Sequence, residues 1–73
     1  MIRLRLKEVL QEKNITQAKL SRLTDVSMNT IQTIVHNPYH DVSLSTLERI
    51  AKGLHVSVGE LYEVLPDTEE KGP

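Results

Sequence analysis

The chain has 73 residues, no cysteine, two aromatic residues and a formal net charge of −1. That length holds one domain, which buries only about 60% of its unfolded surface, and without cysteine it has neither a disulfide framework nor a thiolate metal site to add stability. No apolar run is long enough to span a bilayer, and Arg3, Arg5 and Lys7 interrupt the N-terminal stretch where a signal peptide would be apolar, so the expectation is a soluble cytoplasmic protein with a core of Leu, Ile and Val.

In chain order, "MIRLRL" alternates apolar and basic residues, the two-residue period of a strand. It predicts a small terminal β ribbon in which Ile2–Leu4 pairs with Val64 and its neighbours; the alternative is a frayed lead-in to the first helix. Leu6, Val9 and Leu10 then share one helical face and Asn14 is a natural stop, which predicts a helix over residues 5–13. From there one pattern is written four times: "ITQAKL" at 15–20, "VSMNTI" at 26–31, "VSLSTL" at 42–47 and "VSVGEL" at 56–61. Each is an aliphatic residue, then Ser or Thr, then an aliphatic residue four places after the hydroxyl. The hydroxyl suits an N-cap, accepting a hydrogen bond from a free amide of the first turn. The flanking apolar pair forms a hydrophobic staple that sets the angle at which the chain turns into the helix. Ser57 has Glu60 three residues on, the spacing of a capping box.

These starts predict helices over 17–24, 28–36, 44–54 and 58–62. The third must stop near His36, because Pro38 disfavours helical geometry at Asn37. Leu44, Leu47, Ile50, Ala51 and Leu54 give the fourth its apolar stripe. From Pro66 onward "PDTEEKGP" is acidic and reads as a flexible tail. The expectation is an all-α chain, a compact five-helix bundle with a small terminal ribbon, with one domain over 1–65 and a tail over 66–73.

The second and third predicted helices lie only about three residues apart, and so short a connection forces a sharp turn, as in a helix-turn-helix. Ser21 supplies a small residue at the crossing, and Val26, Ile31 and Ile34 are the inward anchors. Met28, Asn29, Gln32, Thr33 and His36 then face outward, a face without Asp or Glu. Charge is also uneven along the chain: residues 1–40 hold six Lys/Arg against three Asp/Glu, a balance of +3, and residues 41–73 hold three against seven, a balance of −4. Such asymmetry can mark a side that faces a polyanion, although ordinary solvated surface gives the same count.

The motifs "TQAKLSRLTDVSMNTIQTIVHN" and "LSTLERIAKGLHVSVGEL", in that order, resemble the Cro and repressor proteins of lambdoid phages and the bacterial XRE-type helix-turn-helix family, over residues 6–61. The resemblance implies a lambda-repressor-like five-helix bundle that binds operator DNA as a transcriptional regulator, phage- or bacterially encoded and associated with the nucleoid when bound. The chain departs from the family pattern at three places. Asp25 stands where the turn usually has Gly, and Asp tolerates left-handed geometry better than most residues. Leu10 and Val35 stand where many members pair an Arg with a Glu, a swap that an apolar pair makes without loss of stability. Asn37 stands where the loop after the third helix usually begins with Gly.

In the family arrangement the third helix enters the major groove. The resemblance therefore makes Met28, Asn29 and Thr33 base readers, with Gln32 a flanking candidate. Asn hydrogen-bonds adenine in two places and methyl-bearing side chains touch the thymine methyl. Gln17 corresponds to the family Gln that opens the second helix and fixes the DNA backbone. Thr16 and Ser27 at the two helix starts, together with Lys13, Lys19, Arg22, Asn37, Tyr39 and His40, are further backbone candidates. Against each stands the reading of plain surface.

Two other readings compete. The same bundle serves as a protein-interaction or antitoxin module if the outward face contacts protein. An enzyme is disfavoured: His36 and His40 have zinc spacing, but Pro38 lies between them and no thiolate completes a site. His55 reads as a boundary residue, and the scattered glycines form no phosphate loop. Neither a cofactor nor a metal is expected. The expected partner is double-stranded operator DNA with inverted-repeat half-sites, bound by a homodimer joined around the fifth helix through Val58, Leu61 and Tyr62.

Overall fold

A computed structural model describes residues 1–66; the tail expected over 66–73 lies, apart from Pro66, outside the described residues. A short strand β1 (Ile2–Leu4) leads into α1 (Leu6–Lys13), α2 (Gln17–Thr24), α3 (Met28–His36) and α4 (Leu44–Leu54). A 3-10 turn over Val58–Leu61 and a strand β2 (Tyr62–Val64) follow.

Three of the four capping hydroxyls act as the pattern requires. The Thr16, Ser27 and Ser43 side chains each accept from the backbone N–H three residues on, at 3.1 Å in every case. The staple residues meet the core: Leu20, Ile31, Leu47 and Leu61 are buried, while Ile15, Val42 and Val56 are partly buried against them. Helix α1 stops where Asn14 turns left-handed (φ 59°), and α2 stops where Asp25 does the same (φ 60°). A short polar side chain is one of the few that tolerates this geometry outside glycine.

The fifth helix is corrected to a single 3-10 turn. Its Glu60 N–H bonds to the Ser57 carbonyl at 3.0 Å, an i→i+3 contact, and Gly59 weakens any longer helix. The chain then enters β2 at once, leaving no residues for an i→i+4 bond. The capping box expected from the Ser57–Glu60 spacing is present, with the Ser57 N–H donating to the Glu60 carboxylate at 3.2 Å. Nor is the chain purely helical. β1 and β2 pair antiparallel with Ile2 opposite Val64, Arg3 opposite Glu63 and Leu4 opposite Tyr62, the ribbon that the alternation of "MIRLRL" predicts.

The core runs through all four helices: Leu6, Val9 and Leu10 from α1, Leu20 from α2, Ile31 and Ile34 from α3, Leu47, Ile50, Ala51 and Leu54 from α4, with Leu4, Val26 and Leu61. Leu44 is corrected out of it. At the first position of α4 it is 73% exposed, because the helix begins at the rim of the core. Helix α4 approaches the end of α2 closely: a Cβ at Gly53 would lie 2.3 Å from Thr24 Cγ2.

Candidate nucleic-acid interface

The connection from α2 to α3 is Asp25, Val26 and Ser27. Two side chains of α2 hold it. The Thr24 hydroxyl donates to the Leu20 carbonyl at 2.7 Å and accepts from the Val26 N–H at 3.3 Å. The Ser21 hydroxyl donates to the Val26 carbonyl at 2.8 Å, so Ser21 contributes a bond as well as small size. Val26 is buried, and both polar groups of its backbone are thereby satisfied by α2. Left unpaired, buried backbone groups would cost about 1–3 kcal/mol each; paired, they lock the angle between the helices. Sequence reading missed Thr24 because a Thr at a helix end reads as surface, and its burial comes from Gly53 on another helix.

With Ile31 and Ile34 buried, Met28, Asn29, Gln32 and His36 are exposed and Thr33 is half-buried. The carbonyls of this helix already have partners on its outer side. The Thr33 hydroxyl donates to the Asn29 carbonyl at 2.9 Å, which leaves its lone pairs and methyl for a ligand. His36 Nδ1 lies 2.9 Å from the Gln32 carbonyl. A carbonyl only accepts, so this nitrogen carries the proton, and Nε2 of the neutral ring is left as an acceptor. The Asn29 and Gln32 amides make no hydrogen bond within the described residues.

The remaining expected residues fall into separate places. Thr16 and Gln17 line a notch with Lys7, Gln11 and Asn14 whose floor includes Leu10 and Val35, so the two positions of the replaced ion pair do lie together. Lys13 is exposed at the end of α1, and Lys19 and Arg22 are exposed on α2. Asn37 closes α3, its side chain accepting from the Tyr39 N–H at 3.2 Å. Tyr39 and His40 line a different groove, beside the ribbon.

The charge asymmetry is also redistributed by folding. Arg3 pairs with Glu8 at 2.5 Å and with Glu63 at 2.9 Å, and Arg5 approaches Glu12 at 3.9 Å. The bond from Arg3 holds the Glu8 carboxyl below the usual carboxylate range. Two of the six cations of the N-terminal half are thus engaged by carboxylates, whereas Lys13, Lys19 and Arg22 form no ion pair among the described residues.

Residues 5–67 match the Cro/C1-type HTH DNA-binding domain. The chain belongs to that family. Among solved structures the domain is similar to the transcriptional regulator VanUg, at 26% identity and a TM-score of 0.69, over 90% of this chain and 89% of that one. No curated protein matches it. Among the described residues of this Cro/C1-type domain no helix is long and apolar enough to cross a membrane.

Proposed function

We propose that this domain is a transcriptional regulator, acting as a repressor, that lays α3 in the major groove of operator DNA. The observation that carries the reading is the outer face of α3: Met28, Asn29 and Gln32 exposed without a carboxylate among them, on a helix whose start is capped by Ser27 and whose angle to α2 is locked by Ser21 and Thr24. Asn29 reads adenine through its amide, Met28 and the Thr33 methyl meet thymine methyls, and Gln32 flanks them. Gln17 and the free amides at the start of α2 take a phosphate, with Lys19 and Arg22 beside them on the same helix. Thr16, Ser27, Lys13, Asn37, Tyr39 and His40 are the outer backbone contacts.

The domain acts as a homodimer on an inverted repeat. One α3 reads a few base pairs, each worth about 1–3 kcal/mol of discrimination, too little in sum to find one site in a genome. The surface first expected for this dimer needs revision, because Leu61 is fully buried and Val58 and Tyr62 are half-buried.

Selection of bound duplexes from a random pool, followed by sequencing, tests the reading. A consensus with two half-sites about 10–10.5 base pairs apart, or a multiple, is the expected result. Affinity for that consensus should fall steeply with salt as counterions are released. Recovery of no consensus, or salt-independent binding, would favour the protein-interaction reading instead.

A further inference from the structure

We propose that His36 is a phosphate-binding residue that must take up a proton to bind, so that DNA binding by this domain draws one proton from solution. The inference rests on the DNA reading above and adds to it a contact outside the base-reading residues.

His36 is exposed at the last position of α3. It lies seven residues beyond Asn29, close to two full turns, so the two share one face of the helix. The face that carries Asn29, Gln32 and Thr33 therefore continues to His36, roughly 10 Å further along the axis than Asn29 at about 1.5 Å per residue. A recognition helix meets base edges with its N-terminal residues. Its last turn then stands at the wall of the groove, where the phosphates are.

The ring chemistry decides the protonation state. His36 Nδ1 lies 2.9 Å from the Gln32 carbonyl oxygen, so the proton on that nitrogen is committed. In the neutral ring Nε2 is an acceptor. A DNA phosphate oxygen also only accepts, so neutral His36 would set a lone pair against a lone pair. A proton on Nε2 supplies a donor and a positive charge together, and the bond from Nδ1 is kept. The last turn of α3 suits that charge, because the C-terminal end of a helix dipole favours a cation.

Among the described residues no group supplies the counterion. Helix α3 has no Asp or Glu. Helices α1 and α2 pack on it. Of the α1 carboxylates, Glu8 is held by Arg3 and Glu12 is approached by Arg5. The other ionisable groups of these two helices are cations: Lys7, Lys13, Lys19 and Arg22. The loop after α3 adds Tyr39, His40 and Asp41, and His36 makes no ion pair among the described residues. A DNA phosphate is therefore the counterion that the protonated ring gains on binding. By linkage, affinity rises as pH falls through the range in which histidine ordinarily charges, about pH 8 to 5.

The test measures binding of the full chain to the selected duplex and to an unrelated one, from about pH 8 to about pH 6. Wild type, His36→Gln and His36→Lys are compared; the position is exposed, and thermal melts check that each variant is folded. Wild-type affinity should rise several-fold on acidification, by no more than about tenfold per pH unit for one proton. The rise should appear on both duplexes, because a phosphate contact carries no sequence information. The log–log salt slope should steepen by about 0.9 at the acid end. His36→Gln should lose both changes, and His36→Lys should keep the steeper salt slope throughout. Nitrogen NMR of the free chain should show the neutral ring protonated at Nδ1. Wild-type affinity that does not change with pH would overturn the inference. So would His36→Gln with wild-type pH dependence, which would assign the proton to another group. Binding that weakens in acid on the selected duplex alone would make neutral Nε2 a base reader, and a ring protonated at Nε2 in the free chain would remove the premise. Each of these results overturns the inference and leaves the DNA reading standing. Failure of wild type to bind either duplex at any pH would overturn both.

Discussion

Replacing Gly53 with alanine should destabilise the domain, although helix propensity argues the other way. Gly53 is inside α4 with ordinary helical geometry, and there alanine is favoured over glycine by about 1 kcal/mol. The new Cβ, however, would lie 2.3 Å from Thr24 Cγ2, well inside the carbon–carbon optimum of about 3.5–4.0 Å. Thr24 cannot rotate away freely. Its hydroxyl donates to the Leu20 carbonyl and accepts from the Val26 N–H, so moving the methyl breaks the bonds that hold the α2–α3 turn. Overpacking of this kind costs about 1–3 kcal/mol, to which a lost buried bond adds, so the net effect is a loss of roughly 1–2 kcal/mol after propensity is subtracted. For a domain of this size each kcal/mol moves the melting midpoint by about 4–8 °C. Thermal melts of Gly53→Ala should show that drop, and DNA affinity should fall with it because the angle of α3 is set by the same turn. The double variant Gly53→Ala, Thr24→Ser keeps the hydroxyl and deletes the methyl, and should recover most of the midpoint. A raised midpoint in Gly53→Ala, or no recovery in the double variant, would refute the close-approach argument.

Ser27→Ala removes the cap of α3 and should cost roughly 0.5–2 kcal/mol, read as a lower melting midpoint. Asn29→Ala should weaken binding to the selected site by about 1–3 kcal/mol and relax preference at one adenine-containing position, whereas Lys19→Ala should weaken all sequences alike and flatten the salt slope; binding to a panel of point-substituted duplexes separates the two. Acid should loosen the tie between β1 and α1. The hydrogen bond from Arg3 lowers the Glu8 pKa in the folded chain, so its contribution is present above the unfolded value near 4.5 and is lost as pH falls through the lower folded value. Glu8→Gln should reduce that part of the acid-side slope in melts taken below about pH 5.

Local sequence determined where the helices of this protein begin and stop. A capping hydroxyl acts on an amide three residues away and its staple on a residue five positions from the leading aliphatic, so Thr16, Ser27 and Ser43 mark α2, α3 and α4 without knowledge of anything distant. The 3.6-residue period likewise separated buried Ile31 and Ile34 from exposed Met28, Asn29 and Gln32, which made the candidate reading face legible. Tertiary structure decided what depends on residues far apart in the chain. The same cap signal at Ser57 yields only a 3-10 turn, because Tyr62 must pair with Leu4 across the ribbon. Leu44 continues an apolar stripe yet is 73% exposed, because α4 begins at the rim of the core. Arg3 and Arg5 counted as cations of a basic half until folding set them against Glu8, Glu63 and Glu12. Tyr39 and His40 follow α3 closely in sequence but line the ribbon groove, because the Pro38 carbonyl is tied to Leu4. Periodicity and capping are short-range effects of backbone geometry, whereas burial, ion pairing and loop path are set by which distant surfaces meet.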